Sequence, residues 1–214
     1  PDFNTALHDV VQRAFTQHQR IIFNGNGYEE AWVTEAKKRG LSNLTCTADA
    51  LQTYVQPKHI ALFSRHHVFT EEELRARNEI HLENYCEVVG IEARTMIDMV
   101  KRNIFPAVSR FSGDTAKAVA TKKAVLADLD CSDDEALLRK LSALSVEMMR
   151  QTAALEDALA APHGKNAYEA AHYYRYTVFE IMGKLRASVD ALEAITSRDC
   201  WPYPSYTELL FSVK

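Results

Sequence analysis

The sequence predicts an all-α fold: a helical bundle built on one long helix and a long antiparallel helical hairpin, with little or no β structure. Three observations carry this. Phe69 to Phe111 repeats apolar residues at helical spacing over some forty positions. Two later stretches, from Ser132 and from Ala167, step by alternating threes and fours and are separated by a short breaker. Only 7 glycines and 6 prolines occur in 214 residues, few interruptions for a chain of this size.

The elements follow in order. Phe3, Leu7, Val10, Val11, Ala14 and Phe15 share one face of a helix over 3–19. Arg20-Ile21-Ile22-Phe23 reads as a brief strand or a buried connector, and Asn24-Gly25-Asn26-Gly27 as a turn whose residues tolerate positive φ. A helix over about 29–39, with Trp32 and Ala36, stops at Gly40. Two short helices fill 41–68, the first capped by Thr47 and the second opened by Pro57.

The spine begins with a capping box, Thr70 with Glu73, and Phe69 placed to staple onto Leu74. Leu74, Leu82, Tyr85, Val89, Met96, Val100 and Ala107 then share one side, while Glu72, Glu79, Glu83, Glu87, Arg94 and Lys101 share the other. At 1.5 Å per residue this is a rod of roughly 60 Å. Gly90 costs it about 1 kcal/mol relative to alanine, and Pro106 should bend or break it near Asn103. Another helix should start at Gly113-Asp114 and run to about 128.

Ser132 with Glu135 reads as a second capping box, followed by a seam of Leu137, Leu141, Leu144, Met148, Leu155 and Ala158. Ala161-Pro162-His163-Gly164 breaks the run. The return arm carries Ala167, Ala171, Tyr174, Val178, Ile181, Leu185, Leu192 and Ile195. Trp201-Pro202-Tyr203-Pro204 is extended, and Ser205 with Glu208 caps a last short helix through Leu209-Leu210-Phe211. The whole is read as a single helical domain, 1–214. Its parts are the N-terminal helices and spine (1–111), a helix plus hairpin (112–198) and the tail (199–214).

The charges, net −4, are interspersed and form no long basic stripe, which argues against nucleic acid or a membrane surface as partner. The four cysteines show no C-x-x-C spacing, and no signal peptide or membrane-spanning run is written, so a reducing cytoplasm is expected. A chain that opens Pro1-Asp2 without methionine suggests a fragment or processed product.

Candidate chemical motifs each have a plainer explanation. Asn24 to Gly27 lacks the spacing of a phosphate loop. Glu169-Ala-Ala-His172 is half of a di-iron bundle motif, but no second copy exists and both residues point away from the hairpin seam. His66-His67 has no ligand partner nearby in sequence. Glu79, Glu83 and Glu87 form a solvated stripe. Glu92, with His81 close by, falls near the apolar edge defined by Leu74 and Tyr85. A carboxylate there needs either an ion-pair partner or a role as general base. Tyr168, Tyr173, Tyr174, Tyr176 and Phe179 surround one helix start and read as core, or as an interface.

Three blocks carry more than periodicity: RIIFNGNGYEEAWVTEAKKRGLSNL, then VFTEEELRARNEIHLENYCEVVGIEARTMIDMVKRNIFPAV, and finally WPYPSYTELLF. In this order, from Arg20 to Phe211, they closely resemble the C-terminal part of type III glutamine synthetases. The resemblance implies a parent enzyme that joins ammonia to the γ-carboxylate of glutamate through a γ-glutamyl phosphate, using ATP and Mg or Mn. It implies a parent assembled as stacked hexameric rings, with its ligands in an upstream catalytic barrel. No catalytic, cofactor-binding or metal residue is therefore assigned in this chain. Expected partners are the catalytic domain of the same polypeptide and neighbouring subunits of the ring. The expected role is a structural, oligomer-supporting one, inactive alone. The alternatives are a free-standing helical protein-binding module of the same ancestry and a metal-carboxylate bundle.

Overall fold

In a computed structural model of the chain, residues 2–161, 164 and 166–211 are described. Among them every regular element is helical. The backbone falls into two compact units, residues 1–46 and 47–214.

The first unit holds α1 (Phe3–Gln17) and α2 (Glu30–Lys38). Asp2 caps α1 by accepting the Thr5 N–H at 2.9 Å. Arg20 to Phe23 is no strand: a 3-10 turn, Gln19–Ile21, leads into an irregular connector. The Arg39 guanidinium is the physical reason, since it donates to the carbonyls of Gln19, Arg20 and Ile22 and takes up the acceptors a strand partner would use. The 24–27 loop forms without positive φ at either glycine. Gly25 is there for space, because a Cβ would stand 2.7 Å from the Phe23 ring, which packs on Trp32 at 4.7 Å between centroids. Gly40 does adopt φ +71° and closes α2 with two bonds, Gly40 N–H to the Lys37 carbonyl and Leu41 N–H to that of Ala36. This is the Schellman arrangement.

The second unit opens with α3 (Thr47–Tyr54) and α4 (Pro57–Arg65), which pack on α5 (Glu71–Met99). Thr47 is the first residue of α3 rather than its cap. The capping box at α5 is complete: Thr70 N–H donates to Glu73 Oε2 at 2.8 Å, and Glu73 N–H donates to Thr70 Oγ1 at 3.2 Å. Leu74, Leu82, Val89 and Val100 are buried, while the charged side of the spine is exposed.

Pro106 does not end the spine. A π-turn, Val100–Ile104, carries it into α6 (Phe105–Val125), with Phe105 N–H bonding the Val100 carbonyl. The extra residue in that turn shifts the register, so proline falls in the first turn of α6, where a missing N–H is tolerated. Gly113 and Asp114 accordingly lie inside α6 rather than at the head of a new helix.

The hairpin arms are α7 (Ser132–Ala160) and the run α8 (Ala167–Tyr173), π-turn Tyr174–Val178, and α9 (Phe179–Glu193). They pack along Leu141, Met148, Leu155, Val178, Leu185 and Leu192, all at 0 % exposure. The breaker's Pro162 and His163 lie outside the described residues; Gly164 has φ +106°. Ser132 and Glu135 form no capping box. Asp130 accepts the Ser132 N–H instead, and Glu135 is drawn across to Lys123, beside the Lys122–Asp134 pair. Those two pairs tie the end of α6 to the start of α7. The last helix, α10 (Tyr206–Phe211), is capped as expected by Ser205 and Glu208.

Candidate functional site

An apolar concavity lies where the π-turn of the spine, the end of α9 and the tail meet. Met96, Met99, Val100, Ile104, Val189, Trp201 and Tyr203 line a cleft of about 290 Å³, with Arg186, Asp190 and Glu193 at its rim. The π-turn places Val100 and Ile104 on the buried side. Backbone bonds from Cys200 and Trp201 N–H to the Ser197 carbonyl turn the chain out of the helical hairpin, and Asn103 Nδ2 donates to the Tyr203 hydroxyl at 3.0 Å. That bond fixes the tail as the cleft's outer wall. At the mouth Arg186 and Asp190 form an i,i+4 pair at 3.4 Å.

This volume is at the low end for small-molecule pockets. Its walls are mostly apolar, and such a slot can hold an apolar side chain or ring.

The residues singled out from the sequence do not converge on it. Glu92 and His81 are exposed, so Glu92 needs neither a buried partner nor a catalytic role. The wheel misplaced Glu92 because α5 changes neighbours along its length. Glu71 and Glu73 lie beside Ser64 of α4, Glu83 and Cys86 beside the start of α8, and Met96 and Met99 beside Val189 of α9. Leu74 therefore does not mark the side that is buried at residue 92. Glu79, Glu83 and Glu87 are exposed, as are His66 and His67. Glu169 and His172 are exposed, and the His172 ring lies between Tyr168 and Tyr176, at 6.2 and 4.5 Å between centroids. Among the described residues no three His, Cys, Asp or Glu side chains come together as a metal site.

The aromatic cluster divides. Tyr174 is buried against Gly90, and Tyr173 donates to the Ala158 carbonyl at 3.0 Å, so these two are core. Tyr176 and Phe179 are half exposed, with the Arg175 guanidinium over both rings at 5.2 and 5.1 Å. Tyr176 also donates its hydroxyl to Asp49. The four cysteines are free thiols, and burial pushes that of Cys86 up. The cleft itself was missed in the sequence; its one signal was the alternation of aromatic residues with prolines at 201–204, which marks an extended segment with rings to bury.

Comparison with known proteins addresses the resemblance directly. Residues 6–123 match the family model described as the glutamine synthetase C-terminal domain. A glutamine synthetase of Butyrivibrio fibrisolvens is 37 % identical over 209 residues, 97 % of this chain and 30 % of the relative. A type-3 glutamine synthetase of Dictyostelium discoideum is 30 % identical over 212 residues, again 97 % of this chain, and 29 % of the relative. A glutamine synthetase of Bacteroides fragilis is 29 % identical over 215 residues, 29 % of its length. The chain thus spans about 30 % of the length of the curated relatives it matches.

Proposed function

Because the chain belongs to the glutamine synthetase C-terminal domain family, we propose that it is the accessory, non-catalytic part of a type III glutamine synthetase, buttressing the catalytic region and the contacts between subunits. The parent reaction would be the ATP-dependent ligation of ammonia to glutamate, with ATP and Mg or Mn held outside this chain. The observation that carries the reading is the match of 97 % of the chain to under a third of synthetases from three organisms. The all-helical framework of the described residues is compatible with a scaffold. No helix among those residues is long and apolar enough to cross a membrane.

The test is removal of this domain from the parent polypeptide, with assembly read by sedimentation. Loss of the ring oligomer, or of its thermal resistance, is the expected outcome. A truncated parent that assembles and resists heat as before would sink the supporting role.

A further inference from the structure

α1 is amphipathic, and its apolar side is exposed. Phe3, Leu7, Val10, Val11 and Phe15 fall within an arc of roughly 140°, at 100° per residue. All five are between 44 % and 77 % exposed, and no residue of α1 is buried. A helix of 15 residues is marginal in water even with favourable composition. This one spends five positions on Phe, Val and Leu, among them two aromatic and two β-branched residues, which gain nothing on a solvated face. The pattern is that of a helix completed by a partner, the apolar stripe being the docking surface.

We propose that the Phe3–Phe15 face of α1 docks onto the catalytic region that precedes this domain in the same polypeptide. The inference rests on the reading above that such a region exists. What selects this occupant is chain length and position. The family is a C-terminal domain, and the matched relatives are more than three times as long as the aligned segment. With the family a C-terminal domain, most of that remaining length falls on the N-terminal side of the matched segment, the side on which α1 stands among the elements of this chain. A surface next to a covalent junction meets the adjoining region at the effective concentration set by a short tether, in the millimolar range. A second copy meets it only at bulk concentration.

Hydrogen exchange tests this. In the isolated chain at low concentration the α1 amides should exchange rapidly; in the parent polypeptide they should be protected at least about 100-fold more. The Leu7→Glu/Val11→Glu variant of the parent should lose that protection, with residues 47–211 unchanged. The proposal is overturned by equal exchange in both proteins. Protection already present in the dilute isolated chain, meaning α1 is covered by its own domain, overturns it too. So does protection that rises with concentration, meaning a second copy covers it, or a variant that loses protection throughout 47–211. Synthetase activity in the isolated chain would instead defeat the accessory reading, leaving the exchange comparison to stand by itself.

Discussion

His67 holds a backbone conformation that its side chain does not favour. With φ +51° it sits just past the end of α4, where His67 N–H bonds the Ser64 carbonyl and Val68 N–H that of Phe63. This is the same motif that closes α2, where Gly40 fills the corresponding position without a Cβ penalty. His67→Gly should therefore raise stability by about 0.5–1 kcal/mol, the relief of left-handed strain exceeding the added entropy of the unfolded glycine; urea denaturation would read it. A second residue-scale effect concerns pH. The Arg150 guanidinium, then the Gln151 amide, hold the Glu147 carboxyl at about 2, below its ordinary 4.5. A depressed folded value means the interaction is fully present above the unfolded value. It is lost as pH falls through about 2. A carboxyl-detected NMR titration should find the Glu147 midpoint near 2, and Arg150→Ala should return it toward 4.5.

At the scale of elements, the π-turn is what lets the spine run through Pro106. A proline within an ordinary helix costs about 3 kcal/mol or more, so Pro106→Ala would gain that much if the proline strained the spine. The structure predicts a change below about 1 kcal/mol in thermal denaturation, because the register shift has already removed the conflict. The sequence could not announce this turn directly. Proline is a strong local signal, whereas a π-turn arises only when tertiary packing holds both flanking helices in line. An indirect sign was present: Val100, Ile104, Ala107 and Val108 keep an apolar spacing across the proline, and all four are buried. The hairpin's seam was legible, since Leu141, Met148, Leu155, Leu185 and Leu192 are all buried at the expected spacing, whereas the π-turn Tyr174–Val178 in its return arm was not. The cap at Ser132 was not, because Lys123, nine residues before the helix, takes Glu135. Glu92 failed similarly, since a wheel assumes one buried side and α5 packs against α3, α4, α7, α8 and α9.

For the molecule as a whole, periodicity yielded the all-α class, and wording yielded the family. The apolar cleft needed coordinates, because its walls come from residues a hundred positions apart, as the Asn103–Tyr203 bond shows. On the accessory role proposed above, the domain is a scaffold and the chemistry belongs to the region it adjoins. Carboxylates rich enough to suggest a site line the spine, and Glu79, Glu83, Glu87 and Glu92 are all exposed. The most direct measurement is glutamine formation from glutamate, ammonia and ATP, with Mg or Mn added, by the purified 214-residue chain alone. The scaffold account predicts no product above the protein-free control, with the chain folded by circular dichroism. Sustained turnover by that chain would contradict it.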